Sequence, residues 1–167
     1  MQLQTGAPMI NTKTVTGRRE VRYESYEDFL TDAEQMAADG CQTLGNWSYG
    51  QILIHIARAF DTMIDGAPFK FPGPVQWFMR TFAKNRFLKN PLRPGFKLPK
   101  SAGHLLPQET SVEEGLAAVR AAIARLETTT ERAPHGGFGT IPKEEHDQFA
   151  VRHAEMHMTF VVPRDAP

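Results

Sequence analysis

Apolar residues recur every three to four positions along four stretches of this chain, and each stretch is bracketed by residues that start or stop helices. The first stripe is Tyr26, Phe29, Leu30, Ala33, Met36 and Ala37; Ser25, with Asp28 three residues on, is its predicted N-cap, and Gly40 its stop. The second has the clearest start. Ser48 and Gln51 form a capping box, and Trp47 and Ile52 stand at the positions of a hydrophobic staple. A helix is predicted from Tyr49 to about Asp65, ended by Gly66 and Pro68, with His55 at the rim of its apolar side.

A third helix starts at Ser111, again capped towards Glu114, and carries Val112, Leu116, Val119, Ile123 and Leu126 before ending near Thr128. The connection from Ala133 to Ile141 holds Pro134, Gly136, Gly137 and Gly139, so it reads as a tight turn-rich loop anchored by Phe138. The last helix spans about Pro142 to Val162, with Pro142 in its first turn. Strand signals are weak apart from a short extended piece at Val21 to Tyr23. The predicted class is all-α, a four-helix bundle with an additional helix inserted between the second and third bundle helices.

That inserted region changes the charge picture. The 167 residues balance 19 Lys and Arg against 19 Asp and Glu, yet residues 67–108 hold eight of the cations, no acid, and seven of the twelve prolines. Val75, Phe78, Met79 and Phe82 have helical spacing, so an amphipathic helix over about 74–88 is expected, with a Pro-rich return. Its aromatics pack onto the protein in one reading; in the other they and the cations form a surface for an anionic ligand, lipid headgroups or nucleic acid. The balanced overall charge gives no field recruiting nucleic acid, and no run approaches the roughly 18 apolar residues of a membrane span. Residues 1–20 lack a period and read as a flexible arm, leaving 21–163 as one domain. The single Cys41 excludes an internal disulfide framework and fits a cytoplasmic protein.

The candidate chemistry is histidine. His153 and His157 are four residues apart, one above the other on a helix, on the side shared with Phe149, Met156 and Phe160. Arg152 and Glu155 take the opposite side, where Glu155 is expected to be solvated. Two inward imidazoles must satisfy their polar nitrogens, and either hydrogen bonds within the core or a shared divalent metal does so. His55, on a neighbouring bundle helix, is the candidate third ligand, and three nitrogens plus water make an open, catalytic kind of site. Gln51 and His146 lie where they could orient the ligands from behind, although Gln51 is also the cap partner of Ser48 and His146 sits two turns from His153, roughly 10 Å of rise. His104 and His135 read as surface loop residues. No residue is assigned as catalytic, and no organic cofactor is expected. The expected cofactor is one divalent ion, with zinc and nickel first among the metals that imidazole suits.

Gly45-Asn46-Trp47-Ser48-Tyr49-Gly50-Gln51-Ile52-Leu53-Ile54-His55, the Pro-Gly-Phe-Lys-Leu-Pro run at 94–99, and Pro134-His135-Gly136-Gly137-Phe138-Gly139 leading to Arg152-His153-Ala154-Glu155-Met156-His157 together resemble the DinB-like superfamily. The match is closest to a subgroup of unknown function and covers roughly residues 11–163. The resemblance implies an up-down-down-up four-helix bundle, often dimeric, with a divalent ion on His55, His153 and His157. It also implies that some relatives transfer or isomerise substrates with a low-molecular-weight thiol, while most have no assigned reaction. Two departures are visible: Pro142 replaces the usual Thr or Ser, and His146 stands where Trp is usual. The functional expectation is therefore a metal-dependent hydrolase or thiol transferase acting on a small, anionic or thiol-bearing substrate; the alternative is a non-catalytic metal-binding or interaction module.

Overall fold

The three serine capping boxes start three helices. In a computed structural model that describes residues 9–96 and 100–164, Ser25 caps α1 (Tyr26–Asp39), Ser48 caps α2 (Tyr49–Asp65) and Ser111 caps α5 (Val112–Thr128). In each, the serine hydroxyl takes the third backbone N–H of the helix while the Asp28, Gln51 or Glu114 side chain returns to the serine N–H. With α6 (Lys143–Met158) they enclose one core built around Phe29, Leu53, Ile56, Phe60, Val119, Leu126, Ala154 and Met158. Six α-helices are present among the described residues, and none is long and apolar enough to cross a membrane.

Two expectations about extended chain are corrected. α6 stops at Met158 rather than continuing to Val162, because Val161 and Val162 are β-branched and Pro163, lacking an N–H, holds its predecessor extended. This β2 (Val161–Pro163) pairs antiparallel with β1 (Cys41–Thr43), where Gly40, at φ 81°, turns the chain out of α1. The piece at Val21 to Tyr23 has no strand partner. The Tyr23 N–H donates to the Glu155 carboxylate, and the Arg152 guanidinium donates to the Tyr23 carbonyl. Of the expected arm, residues 1–8 lie outside the described residues; in the described part, Ile10 exchanges two hydrogen bonds with the Asn46 side chain, and Arg19 grips Asp32 and the Val161 carbonyl.

The inserted helix forms, but not as one smooth cylinder. α3 (Gly73–Phe78) passes through a π turn at Met79–Ala83 into α4 (Lys84–Lys89). The wider turn breaks the regular period, so the expected stripe does not pack inward as a unit. Val75, Trp77, Phe78 and Phe82 face solvent, with Trp77 and Phe82 in edge-on contact, while Gln76 and Leu88 are buried. Met79 and Phe87 turn towards the cavity described next.

Candidate metal centre

Three local devices place the histidines. Gly50 and Gly115 let α2 and α5 approach closely: a Cβ at Gly50 would lie 2.0 Å from the Thr110 carbonyl oxygen, and one at Gly115 2.7 Å from the Leu53 Cβ. The turn at Lys100–Leu105 delivers the Leu105 carbonyl to His55, whose Nδ1–H donates to it at 2.8 Å. That bond fixes the tautomer, leaving the Nε2 lone pair of His55 free to bind. Trp47 then lies nearly parallel to the His157 ring, with centroids 5.5 Å apart and planes 16° apart, and tilts against His55 at 4.8 Å. The residue expected to staple the helix entry thus also walls the histidines.

On α6 the Nε2 atoms of His153 and His157 are 3.0 Å apart, and His55 faces both rings with centroids at 5.3 and 4.6 Å. One nitrogen from each of the three lies within 4.8 Å of the other two. Bonds of about 2.05 Å put neighbouring ligand nitrogens about 3.3 Å apart in a tetrahedral shell and about 2.9 Å in an octahedral one. The His153–His157 spacing already matches, and the His55 nitrogen lies within 4.8 Å of both, so the residues fit a divalent ion. Burial holds all three imidazoles in the neutral, ligating form. It drives His153 down to about 3, reinforced by His55 and His135; it depresses His157 well below its ordinary value, reinforced by His153; and it lowers His55 despite the opposing Leu105 carbonyl.

No carboxylate joins this cluster among the described residues. Glu155 points away from it, as its helix position requires, but neither Glu155 nor Arg152 is solvated: they are 3% and 1% exposed. They pair at 2.5 Å beneath the residue 19–23 segment. The expectation failed because helical periodicity ranks the two faces of α6 without revealing that a distant segment covers the second.

A family model described as "Protein of unknown function (DUF1569)" matches residues 15–164, nearly the whole chain. The chain belongs to this family. No curated protein and no solved structure matches it. The DUF1569 match includes all three clustered histidines.

In this DUF1569 member the three histidines open onto a cavity of about 1250 Å³. His135, expected at the surface, lines it. The His135 Nδ1 accepts the N–H groups of Gly137 and Phe138 at 3.0 and 3.1 Å, its ring stacks on Phe138, and burial lowers it to about 3. Loop composition concealed this, although the His-Gly-Gly-Phe turn was the available signal. His146 also lines the cavity, 5% exposed and edge-on to His135 at 5.3 Å rather than against the three clustered rings. Burial lowers its pKa as well, against the pull of the Asp147 charge, and neither ring nitrogen has a hydrogen-bond partner among the described residues. Gln51 does not line the cavity, and its carbonyl oxygen is taken by the Ser48 N–H at 2.9 Å. His104 is exposed, as expected.

Proposed function

We propose that this chain is a divalent-metal protein of the DinB-like kind, an up-down-down-up four-helix bundle in which His55, His153 and His157 hold one ion, zinc or nickel first. The observation that carries this is the convergence of three neutral imidazole nitrogens within 4.8 Å at the wall of a large cavity. A divalent ion held there would supply Lewis acidity, bringing the pKa of a water or a thiol towards neutrality. The chain's own residues do the rest. The Leu105 carbonyl fixes the His55 tautomer, Trp47 shields one side of the histidines from water, and the open cavity leaves room for a substrate.

Because no side-chain carboxylate lies in the histidine cluster among the described residues, the reading favours hydrolysis or thiol transfer in which acidity comes from the ion rather than from a neighbouring Glu or Asp. The same absence is what a non-catalytic metal module would show. The resemblance also carries a homodimer, which light scattering in solution tests.

The decisive experiment is metal analysis of protein purified without a histidine tag. About one ion per chain is expected for the wild type, with loss in His153→Ala and His157→Ala. Unchanged stoichiometry in both variants would sink the site. Activity is then sought with generic ester and thiol-acceptor substrates; a loaded protein closed off by a fourth protein ligand would defeat the enzyme reading and leave the binding module.

A further inference from the structure

The charge and shape of the cavity say more about its ligand than the histidines do. At about 1250 Å³ it exceeds the roughly 300–1,000 Å³ of ordinary small-molecule sites. Its walls are rich in aromatic rings, among them Phe69, Phe71, Phe87, Phe138, Phe149 and Phe160. No Asp or Glu lines it among the described residues, whereas Lys13, Arg86 and Arg93 all do.

No carboxylate among the described residues neutralises these three cations. Arg19, Arg125, Arg132 and Arg152 each hold a carboxylate. Lys13, Arg86 and Arg93 are exposed and form no ion pair among the described residues. The backbone that carries Lys13 is anchored beside the turn that follows Arg93. The Asn46 side chain pins the arm through Ile10, at 2.7 and 2.9 Å, and the Lys13 stem crosses Gly95 so closely that a Cβ there would lie 2.6 Å from the Lys13 Cε. Gly95 sits at φ 91°, a backbone conformation that favours glycine, and the Lys13 stem passes over it where the turn after Arg93 meets the arm. The result is an apolar chamber lined by exposed cations and by the three clustered histidines, His55 buried and His153 and His157 partly so.

We propose that the cavity binds an anionic amphiphile: a long apolar or aromatic body lodged among the phenylalanines, with a carboxylate- or sulfonate-type head held by Lys13, Arg86 and Arg93. A molecule touching both runs from the cations to the histidines, so the group acted on lies at the end of the body away from its anionic head. Only that last placement rests on the metal reading; binding itself requires no ion. Such a ligand satisfies both halves of the chamber, since apolar surface leaves water and the head meets cations that otherwise face solvent.

The test uses the two tryptophans. Trp47 lines the cavity and Trp77 is exposed, so Trp77→Phe leaves one reporter at the site. Metal-free protein in chelator is titrated with dodecanoate, dodecanol and dodecyltrimethylammonium, each below its micelle concentration, following Trp47 emission. Dodecanoate should bind about tenfold or more tightly than the cationic analogue, the preference shrinking as salt rises. Lys13→Gln/Arg86→Gln/Arg93→Gln, all at exposed positions, should erase the preference while dodecanol binding persists. Ala59→Phe, which narrows the chamber, should weaken all three ligands. Equal affinity for the two charged heads, a preference that survives the triple variant, or indifference to Ala59→Phe would each overturn the proposal. His153→Ala separates the two readings: dodecanoate binding should stay within about threefold there. Wild type that takes dodecanoate but no metal overturns the metal reading alone, and wild type that takes metal but shows no head preference overturns this one alone.

Discussion

Replacing Arg152 by Met tests the burial of the second face of α6. Arg152 is 1% exposed and donates to the Glu155 carboxylate at 2.5 Å and to the Tyr23 carbonyl. Met fills much of the volume but leaves Glu155 with the Tyr23 N–H at 2.6 Å and the half-exposed Arg22 at 3.9 Å. Removing one member of a buried pair costs about 3–5 kcal/mol, because the survivor is an uncompensated charge. Arg22 offsets part of this, so about 3 kcal/mol is expected, a large share of the roughly 5–15 kcal/mol that holds a domain folded. Burial already raises the Glu155 carboxyl against the pull of Tyr23 and Arg152. Without Arg152 it rises further, so the folded variant binds a proton the unfolded chain releases, and its deficit shrinks as pH falls from 8 to 5. Urea unfolding followed by circular dichroism measures the loss. The double variant Arg152→Met/Glu155→Gln keeps an acceptor for the Tyr23 N–H with no charge, and should recover about 2 kcal/mol. A single variant within about 1 kcal/mol of wild type, or a double variant no more stable than the single, refutes the reasoning.

Gly50→Ala should destabilise by about 2 kcal/mol despite its better helix propensity, since its Cβ would meet a backbone carbonyl at 2.0 Å; Gly73→Ala, with nothing within 4 Å, is the neutral control, compared by chemical denaturation. For the metal-free protein, His135 at about 3 stays neutral when folded but titrates near 6.5 when unfolded, so its contribution is intact above pH 6.5 and is lost as pH falls towards 3. The slope should be about 1.4 kcal/mol per pH unit for each imidazole held neutral, and His135→Phe should flatten it; a pH-independent stability between 6.5 and 4.5 would be the contrary result. Zinc or nickel at a hundredfold excess over its dissociation constant should add about 2.7 kcal/mol, raising Tm by roughly 5–10 °C. Thermal scans of His55→Leu should show no such rise.

The helices were legible because their signals are local. Ser25 with Asp28, Ser48 with Gln51 and Ser111 with Glu114 each act within one turn, and the apolar stripes that follow repeat every three to four residues. The same locality placed His153 and His157 on one face, and the stripe of α2 put His55 near the core they share. Sequence alone therefore determined the helical class and the three histidines that meet. It could not reveal that residues 19–23 would bury Arg152 and Glu155 about 130 positions away, or that a π turn would leave Trp77, Phe78 and Phe82 facing outward. Nor could it seat His135 and three unpaired cations around one chamber. Those outcomes depend on which distant surfaces come into contact, and burial, unlike a helix cap, is a property of the packed chain and not of any few consecutive residues.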